Sequence, residues 1–283
     1  MNKMSETVTM IPVRDILPFP NHPFRITEDA QMEQLTQSIA EFGVLNPVIV
    51  RKTNEGFRMI SGHRRKYACE VLEIEEIPAL IRDLDDDMAT ILMVDSNLQR
   101  EQLLPSEKAF AYRMKLEAMS RQGARLDITC DQVEHKSKKT REIIAESASD
   151  SAAQIQRFIR LTYLIPEFLQ MVDVGKLAFT PAVALSYLSE QEQMSVKMTM
   201  EIEQITPSLS QALRLKELSA NEKLSEDAIF AIMTEQKKPD AWNLSLPIER
   251  LSSYFPRNYT PKMMQETIFR LLIEWNKHRT SNG

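Results

Sequence analysis

Apolar positions change period several times along the chain, and each change marks an element. Val8 to Leu17 alternate weakly, with Val8, Met10 and Pro12 set against Ile11 and Val13, which predicts a strand. It runs into Pro18-Phe19-Pro20-Asn21-His22-Pro23-Phe24-Arg25, where three prolines fix φ and forbid regular helix. Thr27-Glu28-Asp29 opens a helix with Thr27 as N-cap; Met32, Leu35, Ile39 and Phe42 recur at helical spacing, and Gly43 stops it. Val44 to Arg51 and Phe57 to Ile60, joined by a Gly-containing turn at Thr53 to Gly56, read as a hairpin. A helix from Gly62 is expected to bury Tyr67, Ala68, Val71 and Leu72. Ile77 to Ile81 is a further strand, and Asp85 opens a helix that ends near Asn97.

From Pro105 the strand pattern disappears until near the C-terminus. Pro105-Ser106-Glu107 begins a helix through about Arg121, with Gly123 as its stop, and Ala124 to Lys139 reads as a linker. Thr140 to Ala145, a break at Ser147-Ala148-Ser149-Asp150, and Ser151 to Leu164 have the proportions of a helix-turn-helix. Helices follow at Pro166 to Val174, Thr180 to Glu190 and, more loosely, Gln211 to Gln236. Trp242 to Leu251 alternates like a strand, and Pro261 to His278 is an amphipathic helix. A unit of that size buries too little surface to stand alone, so self-association is the economical expectation and docking on the same chain the alternative.

Composition agrees with a mostly helical chain: 43% of 283 residues are hydrophobic, sixteen are Met and only six are Gly. The net charge of −5 argues against a polyelectrolyte coat around DNA, yet His135 to Arg141 carries four formal positive charges in seven residues. Cys69 and Cys130 have no paired spacing, which supports neither a disulfide framework nor a thiolate metal site. With no signal pattern and no apolar run of membrane length, a cytoplasmic protein is expected.

Two stretches carry candidate chemistry. In Ser61-Gly62-His63-Arg64-Arg65-Lys66-Tyr67-Ala68 a glycine and basic side chains coincide with a helix start, whose free backbone N–H groups favour an anion. A solvated helix start fits the octet equally well. In the helix from Ser151, Ile155, Phe158, Ile159 and Leu161 can face a core while Gln154, Gln156, Arg157 and Arg160 face outward. Gln and Arg side chains can pair with adenine and guanine edges. Ser149 and Ser151 are placed to meet phosphates, as are Lys136, Lys138, Lys139 and Arg141 ahead of the helix pair. An ordinary amphipathic helical hairpin has the same pattern.

Ordered landmarks from Ile11 to Leu188 resemble the ParB/RepB partition-protein family. Gly43-Val44-Leu45-Asn46-Pro47-Val48-Ile49-Val50 is similar to its Gly-Val/Ile-x-Gln-Pro-aliphatic box, Ser61 to Ala68 to its Gly-Glu-Arg-Arg-x-x-Ala box, and Ser96-Asn97-Leu98-Gln99-Arg100 to Glu-Asn-Leu-Gln-Arg. The resemblance implies a nucleoid-associated homodimer on double-stranded DNA, a CTP- and Mg²⁺-binding N-terminal domain closing as a clamp, and a ParA-type ATPase partner. It assigns Gly62, Arg64 and Arg65 to phosphates, Asn97 to the metal and triphosphate, and Arg25 to the family's basic position. Gly43, Asn46, Ser61, His63 and Arg100 complete the implied nucleotide site. His63 and Ser96 replace family carboxylates, which removes the obvious Mg²⁺ ligand and leaves a weak CTPase activity without its support.

The expected architecture is an α+β ParB/sulfiredoxin-like domain over 1–104, an all-α helix-turn-helix domain over 105–190, a helical linker region over 191–238 and a C-terminal dimerisation unit over 239–283. Two other functions compete: a nucleotide-independent transcriptional regulator, and an enzyme of the sulfiredoxin type. The second lacks its cysteine, because Ser61-Gly62-His63-Arg64 has only the His and Arg of the Gly-Cys-His-Arg turn and Cys69 lies six residues on.

Overall fold

The computed structural model describes residues 7–100, 103–126, 140–145, 150–235, 251, 254–256 and 258–281. It divides into two units, Met1–Thr234 and Glu235–Gly283. The first unit opens with β1 (Val8–Pro12), a 3₁₀ turn (Val13–Asp15) and β2 (Ile16–Leu17). Then come α1 (Ala30–Phe42), the hairpin β3 (Val48–Thr53) and β4 (Gly56–Ser61), α2 (His63–Val71), β5 (Glu76–Arg82) and α3 (Asp86–Leu98).

The strands form one mixed sheet in the order β1-β5-β3-β4-β2, antiparallel at β1/β5 and β3/β4 and parallel at β5/β3 and β4/β2. Neighbouring residues of a strand face opposite sides. Met59 of β4 therefore packs with Val48, Val50, Ile77 and Ala79 against Met32 and Ile39 of α1 and Ala68 and Cys69 of α2. Ile60 turns the other way, into a cluster with Phe19, Phe24, Ala89, Met93 and Val94 that also takes in Ala111 of the next helix.

That helix is α4 (Pro105–Leu126). Asp87–Arg121 and Asp95–Lys115 ion pairs clamp it along α3, and Asp87 and Lys115 are both buried. A helical segment α5 (140–145) and α6 (Ala152–Leu161) follow, then α7 (Pro166–Asp173), α8 (Phe179–Leu185), α9 (Glu190–Glu203), α10 (Leu209–Ala220) and α11 (Glu226–Thr234). One apolar cluster runs through them from Ala109 and Tyr112 to Ile232 and Met233, crossing position 190. In the second unit the described residues include α12 (Pro261–Ser281), along which Phe269, Leu271, Leu272, Ile273 and Trp275 are exposed and Met264 is buried.

Several local expectations are corrected. Asp29, not Thr27, caps α1: its carboxylate accepts from the Met32 N–H, and Thr27 donates its hydroxyl to that same carboxylate. Val71 lies 56% exposed, because α2 turns its Ala68-Cys69 side to the sheet. α4 continues through Gly123 to Leu126, and α6 stops at Leu161, three residues before the expected end. The expected strand 242–251 lies, apart from Leu251, outside the described residues.

Candidate functional site

β4 ends at Ser61 and α2 begins at His63, so Gly62 alone makes the corner. Its φ is +108°, and an added Cβ would stand 2.6 Å from Val48 Cγ1. Only glycine tolerates both the backbone and the close approach. Arg65 braces this corner by donating through Nη1 to the carbonyls of Asn46 and Pro47, the latter at 2.9 Å. Arg64 instead reaches away from the sheet, with Nη2 donating to Asp29 Oδ1 at 3.0 Å. The Met32 N–H, aided by the Thr27 hydroxyl, holds the Asp29 carboxyl below its usual range.

Next to the corner the His63 ring lies against His22, centroids 3.8 Å apart and the planes tilted by 38°. His22 Nδ1 donates to the Phe24 carbonyl at 2.9 Å, while both Nε2 atoms are buried without a partner. Burial holds both imidazoles below their ordinary value and His63 down to about 3, with His22, Arg100 and Lys66 adding to the effect on His63. This pair is neutral at physiological pH.

In front of α2 opens a cleft of about 800 Å³. Its walls carry Arg25, Asp29, Arg64, Gln99, Arg100 and Glu107, three cations against two carboxylates. Arg100 lies over the Phe24 ring at 5.9 Å. Guanidinium groups gathered in a half-enclosed cleft suit a polyphosphate, since each can donate two parallel hydrogen bonds to phosphate oxygens.

Arg25, Arg64 and Arg100, all expected from the sequence, thus line one cleft. The remaining expected residues build its surroundings. Gly43 ends α1 with its N–H on the Ile39 carbonyl, Ser61 pairs with Ile49 in the hairpin, and Asn46 receives Arg65. Asn97 is only 3% exposed and donates through Nδ2 to the Met93 carbonyl of its own helix. Asp95, the nearest carboxylate to it in sequence, is engaged by Lys115. Among the described residues no group of three His, Cys, Asp or Glu side chains could hold a metal ion.

Sequence reading missed the junction behind the cleft. Pro105 lacks an N–H, so at the start of α4 the donors needing partners begin with Leu104 and Ser106. Glu107, at the third helical position, accepts from the Leu104 N–H at 3.1 Å and from the Arg25 N–H at 2.7 Å. Ser106 gives its N–H and its hydroxyl to the two oxygens of Asp173, at 2.9 and 2.6 Å. One turn on, Lys108 and Tyr112 both donate to Asp150 Oδ2, at 3.3 and 2.7 Å. Burial, with Asp150 beside it, pushes the Tyr112 phenol up. Three elements meet at this single turn, and Asp150 immediately precedes the Ser151 cap of α6.

On α6, Ser151 accepts from the Gln154 N–H as N-cap. Arg141 of α5 donates to Gln156. Arg157 donates to Thr180 Oγ1 at 2.9 Å and lies over Phe179, also close to Gln154. Arg160 donates to the Ser186 hydroxyl and carbonyl and sits between the rings of Tyr163 and Tyr187, 4.5 and 3.9 Å from their centroids. Gln156, Arg157 and Arg160 thus have partners within the first unit. Lys136, Lys138, Lys139 and Ser149 lie outside the described residues.

A mixed five-stranded sheet, with a glycine-started helix facing an arginine cleft, thus continues into a helical body. Residues 1–98 of the chain match the family described as the ParB N-terminal domain. The chain is 30% identical over 192 residues to the chromosome-partitioning protein Spo0J of Thermus thermophilus, covering 68% of this chain and 64% of that protein. It is 30% identical over 173 residues to the stage 0 sporulation protein J of Bacillus subtilis, covering 61% and 55%. The chain therefore spans rather less than two thirds of the length of either. Among solved structures, C-terminally truncated ParB from Caulobacter crescentus complexed with CTP-γ-S is similar over 69% of this chain and 99% of that one, at 24% identity and a TM-score of 0.31.

Proposed function

We propose that this is a partition-type protein that binds specific double-stranded DNA through the α5–α6 pair, acting as a helix-turn-helix, and holds CTP in the N-terminal cleft. The observation that carries the reading is the convergence of Arg25, Arg64 and Arg100 on one cleft, reached from three separate stretches of the chain. The names of the relatives, chromosome-partitioning and sporulation proteins, point the same way. In this reading the triphosphate lies among the three arginines beside the α2 start, and the base is left to select the nucleotide by hydrogen bonding. The donor set does not fit a protein-held Mg²⁺, since the amide of Asn97 is turned to Met93, Asp95 to Lys115 and Asp29 to Arg64. With no carboxylate beside Asn97, the chain binds the nucleotide without cleaving it.

The exposed apolar positions of α12 support a homodimer through the C-terminal unit, as in the domain division 1–104, 105–190, 191–238 and 239–283. The apolar cluster crossing position 190 argues for counting 191–234 with the DNA-binding body. A DNA-bound protein with a ParA-type ATPase as partner acts in the cytoplasm, on the nucleoid. Among the described residues no helix is long and apolar enough to cross a membrane.

A nucleotide-independent regulator is the second reading, favoured by one observation: Arg64 and Arg65 are already engaged by Asp29 and by the Asn46 and Pro47 carbonyls. Isothermal titration of the full chain with CTP, ATP, GTP and UTP, with and without Mg²⁺, separates the two. Heat with CTP alone is expected, in the presence or absence of the metal; no heat with any nucleotide would leave the regulator.

A further inference from the structure

The Glu107 carboxylate stands out in the cleft because it is acidic, only 7% exposed, and shares the lining with three arginines. Its two oxygens take the backbone N–H groups of Arg25 and Leu104, and it lies close enough to Arg100 to oppose the effect of burial on that guanidinium. Two convergent amides beside a guanidinium are the donors an oxyanion binds. Here a side chain of the protein already fills that position.

We propose that Glu107 is an internal anion: it occupies a phosphate subsite formed by the Arg25 and Leu104 amides and Arg100, and an incoming phosphate group displaces it. This rests on reading the cleft as a polyphosphate site. Displacement is favoured by charge, because a phosphate entering among Arg25, Arg64 and Arg100 repels the carboxylate while offering the two amides a stronger acceptor. It has a consequence at a distance. Glu107 lies between Ser106, bonded to Asp173 at the end of α7, and Lys108, bonded to Asp150 at the start of α6. When the phosphate takes over the Arg25 and Leu104 amides, the first turn of α4 that carries both ties is anchored differently, so occupancy of the cleft is felt at the N-terminus of the proposed DNA-reading helix. A ligand can shift that arrangement only by its differential affinity for the two states of the turn, and the exchange of one anion for another supplies it.

The test titrates the full chain and Glu107→Gln with inorganic tripolyphosphate and with CTP. Removing the charge is expected to tighten both by at least about fivefold, because the ligand no longer expels an anion. Equal or weaker binding by the variant, with the parent protein binding normally, would overturn the internal-anion role and leave the nucleotide reading intact. Failure of both proteins to bind either probe would overturn both. Should Glu107→Gln fold poorly, the unaltered chain still decides: tripolyphosphate should shift the amide resonances of Arg25 and Leu104, and saturation without movement of either would contradict the proposal.

Discussion

Gly62 is held at φ +108° with Val48 pressed against its α-carbon. Gly62→Ala brings both a left-handed backbone and a 2.6 Å clash, and is expected to cost the first unit about 2–4 kcal/mol in urea denaturation. A loss below about 0.5 kcal/mol would mean that the corner relaxes freely. His63 makes a pH prediction. Its native value of about 3 lies below the ordinary 6.5, so both folded and unfolded chains are neutral above that ordinary value and the group then adds no pH dependence. As pH falls through about 6.5 the unfolded chain gains a proton that the folded chain refuses, and stability declines until the native value is reached. Between pH 7 and pH 5 the decline due to His63 is expected to be about 1–2 kcal/mol, after allowing for its partial exposure, and His22 acts in the same sense. His63→Gln should flatten this limb of the stability curve; an unchanged slope would remove His63 as its source.

α6 shows where sequence pattern stops being informative. Its apolar stripe, Ile155, Phe158, Ile159 and Leu161, was legible from period alone, as were the hairpin and the body of α1, and Asp85 was legible as the opening of α3. The opposite face was not. Periodicity says that Arg160 points away from the Ile155 side, but not that Ser186 and Tyr187, more than twenty residues on, will be waiting there. Arg160→Ala is accordingly expected to lower stability by about 1–3 kcal/mol through lost hydrogen bonds and ring contacts, and to weaken specific and random DNA binding alike. Loss confined to one DNA sequence, in a protein of unchanged melting temperature, would restore Arg160 as a base reader. Ser151→Ala removes the α6 cap and should cost about 1 kcal/mol. The cleft had the same split legibility. Ser61 to Ala68 announced a helix start with basic side chains, and its arginine pair turned out to be divided, Arg64 facing the cleft and Arg65 bracing the corner. Glu107 gave a visible helix-start signal, yet its tie to Arg25 spans eighty-two positions and no local pattern encodes it.

The first unit joins these elements into a route from the cleft to α6. α4 is fastened to α3 by Asp87–Arg121 and Asp95–Lys115, and its first turn is fastened to α7 and to the residue before α6. A rigid helix held at both ends transmits a displacement rather than absorbing it, provided the turn has two arrangements. Coupling of this kind is reciprocal: if DNA on α6 alters the turn, nucleotide affinity must change by the same factor as DNA affinity does on nucleotide binding. The most direct measurement is CTP affinity of the full chain with and without a duplex that the chain itself selects from a random pool. A CTP affinity that changes at least about threefold when the selected duplex is present, and not with a scrambled one, is the predicted result. CTP binding that is absent, or the same on both duplexes and on none, would contradict a nucleotide-modulated DNA-binding protein.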